Sequence, residues 1–494
     1  MPSEKSSDNQ PAEPAANLTG VILAGGRGVR AYPAAHYMPK SLMEIAGIPL
    51  IDRTLSIMID QLRVRRVVVV VGHLGDQIVA YLSSRNYGVD FDFVEQLSPR
   101  GSGHALLAAE SRLQAGPFVV MLGDEFYYHT NHEVLLQKDL HGCAGMVMFR
   151  VETDRSRIAA NYTGDIRDGR VWSLAEKPAN PVPGKMGVGT FLLTPKIFDI
   201  IRRTPPSEVR NEIELVDAVS RLAAEEIVLA ATLSGLYVNV NHIDDLNRAN
   251  YLVRSHEFER QRISLVIPAY NEAETIAEVI GEFAACARID EILVVDNNSV
   301  DDTGQIVAAT GAQVVTESRQ GYGHALRRGL AEANGDIIII TEADGSFTAN
   351  DIPKFLEYLK DCDMVIGTRT TRQMIEQGAN MGSLVRWGNV FYGKIIELLW
   401  WGQEPRFTDV GCTYRAIWKT SYERIRPYLT TAGPEFSPEM MIALLLCRRR
   451  IIEIPVTYRR RRGGQSKHSG RFMSLVRTAL KMMVLILQRR IRYR

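Results

Sequence analysis

The strongest constraint on this chain is a strand-and-helix rhythm that runs twice. Each run starts with an apolar strand that breaks into a loop of small or polar residues. The first start is Val21-Ile-Leu-Ala-Gly-Gly-Arg-Gly-Val-Arg30, followed by Pro39-Lys40. Strands are expected at Thr19–Gly25, Arg66–Gly72, Val89–Gln96 and Phe118–Gly123, the last ending at Asp124. Ile51, Leu55, Met58, Ile59 and Leu62 keep helical spacing, and further helices are expected at Asp76–Ser84 and Gly103–Leu113. The rhythm restarts after the polar stretch Arg254–Arg262, read as the domain junction. Strands follow at Ile263–Ala269, Glu291–Asp296, Ala312–Thr316, Asp336–Thr341 and Asp363–Gly367, with helices between them such as Glu274–Ala285 and Gly323–Asn334. This order predicts an α/β fold: two Rossmann-like domains in series, each a mostly parallel sheet with flanking helices. Ligand loops should gather at the carboxyl ends of the strands. No obvious sequence repeat relates the halves. The expected division is a disordered leader over 1–17, domains over 18–255 and 262–469, and a basic amphipathic helix over 470–494.

Composition supports two large domains. Of 494 residues, 46% are hydrophobic and 23% charged, an ordinary globular balance. Five scattered cysteines without Cys-x-x-Cys spacing argue against a disulfide framework or structural zinc. The leader has no apolar core of a signal peptide, and no apolar run approaches the roughly 18–20 residues that span a bilayer. A cytoplasmic protein is expected. Net charge is +1, yet between Pro455 and Arg494 there are twelve Lys/Arg and no Asp/Glu.

In the first loop, glycines let backbone N–H groups approach phosphate oxygens, and Arg30 can neutralise a polyphosphate. The loop is neither Gly-x-Gly-x-x-Gly nor a P-loop, so the dinucleotide and Walker-type readings are poor. Further along stand Gln96…Gly101-Ser-Gly-His-Ala105, Gly123-Asp124, Glu176-Lys177-Pro178, Gly187-Val-Gly189 and Asn239-Val-Asn241…Asp245. In this order, from Leu18 to about Val253, the chain resembles the sugar-1-phosphate nucleotidyltransferases. The resemblance implies that Ala24, Gly25, Gly26, Gln96, Gly101, Gly123 and Gly189 line the substrate site. It gives Arg30 and Lys40 the nucleoside triphosphate, Asp124 and Asn239 a Mg²⁺ (or Mn²⁺), and Glu176 and Lys177 the sugar and its phosphate. The Gln96-to-Gly101 spacing is similar to members that read a pyrimidine, so UTP or dTTP is expected. Two departures stand out: Val29 replaces the usual Thr or Ser, and Asn239 replaces a second metal-binding Asp. Asn still offers a neutral oxygen.

The second start is Ser264-Leu-Val-Ile-Pro-Ala-Tyr-Asn-Glu272. Val294-Val-Asp296-Asn-Asn-Ser299, Gly321-Tyr-Gly323 and Glu342-Ala-Asp344 follow, then Thr408-Asp409-Val-Gly-Cys412…Arg415, Gly433-Pro-Glu435-Phe436 and Arg461-Arg-Gly-Gly-Gln-Ser466-Lys467. As an ordered set over Arg262–Lys467, this resembles the family 2 inverting glycosyltransferases of the GT-A type, and most closely the polyprenyl-phosphate mannose or glucose synthases. By that resemblance Ala269, Glu272 and Asp296 surround the base and ribose, and Glu342 and Asp344 hold the metal on the diphosphate. Arg415 and Glu435 fall among the substrate contacts, and Arg461, Ser466 and Lys467 bind the acceptor's phosphate. A phosphate acceptor is largely dianionic at neutral pH and needs no general base. A hydroxyl acceptor needs one, with Asp409 or Glu435 as the suspects.

On a helical projection of the tail, Arg471, Ser474, Arg477, Thr478, Lys481, Gln488, Arg489 and Arg492 share one side with Leu485, and apolar residues fill the remainder. That suits a helix lying on an anionic membrane surface, or one packed on the core with its arginines solvated. Trp387, Phe391, Tyr392, Trp400 and Trp401 form a second aromatic segment, lipid-facing or core. The arginine runs carry no nucleic-acid motif, and His129 and His132 are expected at the surface.

The combined reading is a bifunctional enzyme. It makes a nucleotide-diphosphate sugar from UTP or dTTP and a hexose-1-phosphate, then passes the sugar with inversion to a polyprenyl phosphate on the inner face of a membrane. The alternatives are a soluble or protein-bound hydroxyl acceptor, or a silent first domain that regulates the second. Homo-oligomer formation stays open, and no nucleic acid is expected as a partner.

Overall fold

The Val67–Val71 run is a central strand because β-branched side chains suit a pleat covered on both faces. In the computed structural model, which describes residues 18–26, 28, 36–137, 142–207, 211–379, 381–463 and 472–492, it is buried throughout. Alternate residues serve opposite layers, as strand geometry requires. Val21, Leu23, Val68, Val70 and Val120 pack with helices Ser102–Ala108, Ile197–Arg203 and Leu215–Glu225. Ile22, Ala24, Val67, Val69 and Val71 pack with helices Leu50–Ser56 and Gly75–Ser83.

Chain contacts divide the molecule into two units between Ala249 and Asn250. No linker marks the division, because helix Ile243–His256 runs through it. Of the polar stretch read as the junction, Arg254 and Phe258 are buried and the other residues are half-buried or exposed. Arg254 donates to Cys362 O at 2.6 Å and to Asp363 Oδ1 at 3.0 Å.

The first unit holds a nine-stranded sheet. Its order is Asp90–Glu95, Arg66–Val71, Thr19–Ala24, Phe118–Leu122, Gly184–Leu193, Gly145–Glu152, Val228–Thr232, Arg170–Glu176, Tyr162–Arg167. The leading four strands are parallel, as the rhythm predicts. The remainder is mixed, because Gly184–Leu193 runs antiparallel to both of its neighbours. The second unit holds seven strands in the order Gln313–Thr316, Glu291–Asp296, Ile263–Ala269, Ile337–Ile340, Arg415–Trp418, Met364–Thr368, Ile451–Pro455. Only Arg415–Trp418 among them is antiparallel to its neighbours. In both units the first strand lies between strands reached by connections in opposite directions. Such a switch point opens a crevice at the carboxyl ends.

One short repeat corrects the expectation of none. Gly101-Ser-Gly-His-Ala-Leu106 and Gly321-Tyr-Gly-His-Ala-Leu326 each start the helix that follows the sheet's edge strand. In each, the first glycine has positive φ, 103° and 147° respectively. In each, the second glycine's N–H donates to a backbone carbonyl of a distant segment, Ile213 at 2.8 Å and Ala432 at 2.7 Å. A Cβ on Gly101 or Gly321 would stand 2.5 Å from that same carbonyl oxygen, so both close approaches require glycine.

None of the five cysteines is joined in a disulfide. Among the described residues no helix is long and apolar enough to cross a membrane.

Candidate functional site

A cavity of about 900 Å³ opens at the carboxyl ends of the first unit's parallel strands. It brings together Ala24, Gly25, Gly26, Lys40, Gln96, Gly101, Gly123, Asp124, Glu176, Lys177, Gly189 and Asn239. Arg30 lies outside the described residues. Lys40 is held by short-range geometry: its Nζ donates to Val240 O at 3.0 Å and stands 3.3 Å from Asp124 Oδ2. Lys177 follows strand Arg170–Glu176 with φ 47°, its N–H donating to Asn161 O at 2.7 Å. The turn sets Glu176 and Lys177 side by side at the cavity wall.

Gln96 is orientated from two sides. Its Nε2 donates to Gly101 O at 3.2 Å and meets His104 Nδ1 at 3.3 Å. Because Gly101 O can only accept, the amide's N–H₂ end is committed there. Oε1 is thereby the end left toward the glycine loop, 3.1 Å from where a Cβ on Gly25 would lie.

The donor set fits a hard divalent cation: Asp124 supplies a half-exposed carboxylate and Asn239 a carboxamide. Asn239 Nδ2 donates to Asn161 Oδ1 at 2.8 Å, which leaves its oxygen as the available ligand atom. The sequence reading missed Glu125. Wholly buried beside Asp124, it accepts from Tyr237 OH at 2.6 Å, from Gly189 N at 2.7 Å and from Tyr127 OH. Burial pushes its carboxyl up to about 7. A Cβ at Gly189 would sit 2.6 Å from Glu125 Oε2, so this glycine is what admits the carboxylate. An acid beside an acid was visible in the sequence; its burial was not.

His132 is a correction. It is fully buried, with Nδ1 3.0 Å from Thr130 Oγ1 and Nε2 3.3 Å from Thr190 Oγ1. Burial depresses its pKa to about 3. His129 is exposed as expected.

In the second unit, hydrogen bonds knit four strand-end loops together. Ala269 pairs with Asp296 across the parallel ladder, and Asn297 N donates to Ala269 O at 2.9 Å. Asn271 N donates to Ser299 Oγ at 3.0 Å, and Glu272 N to Thr303 Oγ1 at 2.9 Å. Asn297 reaches the third loop through Glu317 O and Arg319 O, while Thr275 Oγ1 donates to Ala343 O at 2.8 Å in the acid loop. Ala269, Glu272, Asp296, Glu342 and Asp344 therefore belong to one connected rim.

Asp344 Oδ1 accepts from Ser346 N at 2.9 Å, and Glu342 Oε1 accepts from Thr413 Oγ1 at 2.8 Å. Burial and then the neighbouring Asp344 charge push the Glu342 carboxyl upward. Asp344 Oδ2 is buried without a hydrogen bond, although Arg461 Nε stands 2.7 Å away, because the contact lacks hydrogen-bond direction. Asp344 Oδ2 and Glu342 Oε2, the latter with only a long 3.5 Å hydrogen bond from Ser346 Oγ, are a donor pair that fits Mg²⁺ or Mn²⁺.

Asp409 and Arg415 are further corrections. Asp409 is fully buried, and its four acceptor positions are filled: Arg369 Nε at 2.8 Å, Arg369 N at 3.0 Å, Arg369 Nη2 at 3.0 Å and Gly411 N at 3.2 Å. A carboxylate so bound has no lone pair to receive an acceptor's proton. Arg415 is 2% exposed and donates to the backbone oxygens of Cys412, Ser437 and Val410. It braces this segment against helix Phe436–Leu446 and presents nothing to a substrate. Glu435 stands at the N-terminal end of that helix without a side-chain capping bond, and its Oε2 is buried and lacks a hydrogen bond. Ser466 and Lys467 lie outside the described residues.

The tail helix Phe472–Arg492 departs from its expected facing only in part, since Arg477, Lys481, Gln488 and Arg492 of the side read as polar are exposed. On the side read as polar, Leu485 is buried, and so is Arg489, whose Nη2 donates to Glu439 Oε1 at 2.5 Å and Tyr428 O at 2.7 Å. Leu480, Val484, Leu487 and Ile491 are exposed. Helix Ser383–Leu399 lies alongside, with Tyr392 OH donating to Ala479 O at 2.8 Å. It exposes Leu384, Trp387 and Phe391, and Trp401 beyond its end is exposed too, whereas Trp400 is buried.

Each α/β unit carries acids just past the carboxyl end of a strand, Asp124 in the first and Glu342 and Asp344 in the second. Residues 19–255 match the nucleotidyl transferase family and residues 264–419 match glycosyl transferase family 2. The chain joins a nucleotidyl transferase domain to a family 2 glycosyl transferase domain. It is 29% identical over 239 residues to a glucose-1-phosphate thymidylyltransferase of Streptomyces griseus, covering 48% of this chain and 66% of that one. It is 27% identical over 235 residues to the UTP–glucose-1-phosphate uridylyltransferase AglF of Haloferax volcanii, covering 47% of this chain and 95% of that one. The chain is 44% identical over 108 residues to an uncharacterised glycosyltransferase of Mycobacterium bovis, covering 22% of this chain and 48% of that one. The chain thus spans less than two thirds of the first and third of these relatives. A solved UDP-glucose pyrophosphorylase bound to UDP-glucose superposes with TM-score 0.43 at 23% identity, over 49% of this chain and 99% of that one.

Proposed function

We propose that the chain makes a nucleotide-diphosphate hexose in its first domain and spends it in its second. In the first, an oxygen of a hexose-1-phosphate attacks the α-phosphorus of UTP or dTTP, and the bond to the β-phosphate breaks to release pyrophosphate. The attacking group is already an anion, so no protein nucleophile is required. The chain's task is positioning and charge neutralisation. Lys40, with Arg30 beside it in sequence order, faces the triphosphate; Glu176 and Lys177 take the sugar and its phosphate; Gln96 Oε1 accepts from the N3–H of uracil or thymine. A divalent cation held by Asp124 and Asn239 supplies additional charge neutralisation. The single observation that carries this reading is the one cavity collecting all of these groups except Arg30. The relatives' names, one for thymidylyl and one for uridylyl transfer to glucose 1-phosphate, agree with it.

In the second domain, a phosphate oxygen of a polyprenyl phosphate attacks the anomeric carbon and the nucleoside diphosphate leaves from the opposite face, inverting the centre. The filled lone pairs of Asp409 favour an acceptor that needs no base. Glu342 and Asp344 hold the cation on the donor, and Arg461, Ser466 and Lys467 receive the acceptor's phosphate. The paired helices 383–399 and 472–492 supply the lipid surface: an apolar exposed face beside exposed Arg477 and Lys481, with no acid on the tail helix, complements an anionic bilayer. The protein would then work on the cytoplasmic face of a membrane.

The test is a matrix of nucleoside triphosphates against sugar-1-phosphates read by pyrophosphate release, followed by transfer of radiolabelled sugar to polyprenyl phosphate. Label in the organic phase is expected. Label only in a water-soluble product would sink the lipid acceptor, and no pyrophosphate from any pair would leave the first domain regulatory.

A further inference from the structure

Arg461 stands in the way of the cation that the second domain's acids are built to hold. Asp344 Oδ1 is taken by Ser346 N and Glu342 Oε1 by Thr413 Oγ1. The oxygens most available to a metal are Asp344 Oδ2, which accepts no hydrogen bond, and Glu342 Oε2, which accepts only a long one from Ser346 Oγ at 3.5 Å. These are the two that face Arg461, at 2.7 Å from Nε and 3.9 Å from Nη2. The contact is electrostatic alone, since neither Asp344 Oδ2 nor Arg461 Nε makes a hydrogen bond. A charge pair without directed bonds is easier to exchange for another cation than a bidentate one, such as Arg369 with Asp409 here. The backbone beneath Arg461 is pinned, with Arg459 N donating to Ser346 O at 2.8 Å and Arg462 N to Asp344 O at 3.1 Å. Only the side chain has to move.

We propose that Arg461 is an exchangeable counter-ion: it neutralises Glu342 and Asp344 before the donor arrives, and the divalent cation entering with the nucleotide sugar expels it. A guanidinium and a divalent ion cannot share those two oxygens without strong repulsion. The expelled side chain, anchored a few ångströms away, is then the nearest cation for an acceptor's phosphate. Acceptor capture would follow donor binding because one arginine serves both. This rests on the glycosyl-transfer reading above and deepens it.

The experiment uses the full-length chain carrying Asp124→Asn, which takes the carboxylate charge out of the first domain's proposed metal site. Mn²⁺ binding is followed by electron paramagnetic resonance without nucleotide. Arg461→Gln should tighten Mn²⁺ binding by at least ~10-fold, Arg461→Lys should keep the parent affinity because it keeps the competing charge, and Asp344→Asn should abolish the site. Farnesyl phosphate should bind the Asp124→Asn parent more tightly when Mn²⁺ and UDP are present than without them. Unchanged or weaker Mn²⁺ affinity in Arg461→Gln overturns the exchange, as does farnesyl phosphate binding indifferent to Mn²⁺ and UDP. Sugar transfer to lipid with no change in Mn²⁺ affinity defeats the exchange alone. A tenfold gain in Mn²⁺ affinity in Arg461→Gln, when the Asp124→Asn parent transfers no sugar from a supplied nucleotide sugar, defeats the glycosyl-transfer reading alone.

Discussion

Arg369 clasps Asp409 through Nε and Nη2 at 2.8 and 3.0 Å, and its own backbone N–H adds a third bond at 3.0 Å. A buried pair broken on one side leaves an uncompensated charge, at a cost of about 3–5 kcal/mol. Asp409→Ala should therefore lower the unfolding free energy of the second domain by that order, read as a lower midpoint in urea unfolding. Full stability with a collapsed transfer rate would restore Asp409 as a base.

The two chemistries should separate by mutation. Lys40→Ala or Asp124→Asn should cost at least ~10²-fold in pyrophosphate release, the scale of one preorganised charged group. Transfer from a supplied nucleotide sugar should be spared. Asp344→Asn should do the reverse. Joint failure in either variant would contradict separate sites.

Base choice should depend on the committed amide of Gln96. Cytosine has no N3–H to donate to Oε1, so CTP should be a poor substrate beside UTP or dTTP. Gln96→Ala should reduce kcat/KM for the preferred triphosphate roughly 10–100-fold and narrow the gap to CTP. His104→Ala should narrow it less, since Gly101 O still holds the amide. Equal use of CTP and UTP by the unaltered enzyme would refute the assignment.

His132 gives a pH signature. Its folded pKa, about 3, lies below the unfolded value of 6.5, so the unfolded chain takes up the proton first. The stability is fully present above pH 6.5 and is lost as pH falls toward 3, by roughly 1.4 kcal/mol per unit over that window. Urea titrations at pH 6.5, 5.5 and 4.5 should show the native protein losing stability faster than His132→Gln. Parallel slopes would mean that the imidazole is not held neutral.

The exposed helical face should govern liposome binding. Leu480→Ser with Trp387→Ser should weaken association with anionic vesicles while leaving the pyrophosphate assay unchanged. Deleting the whole tail is a poor test, because Ile486 and Arg489 are part of the interior. Unaltered vesicle binding in the double variant would remove the membrane role.

The loops at strand ends were legible because their chemistry is local. Gly25, Lys40, Gln96, Asp124 and Glu176 each follow a recognisable strand or motif, and parallel strands carry such loops to one edge of a sheet whatever the packing beyond. Sequence alone therefore determined the two α/β domains and which residues stand at their strand ends. Tertiary structure decided which groups are buried and with whom. Asp409 meets Arg369 from forty positions away, Arg489 meets Glu439 from fifty, and His132 meets Thr190 from fifty-eight. Helical periodicity separates two faces of the tail but is silent on which is covered. That depends on helix Phe436–Leu446 offering a buried carboxylate, a partner that no local spacing encodes.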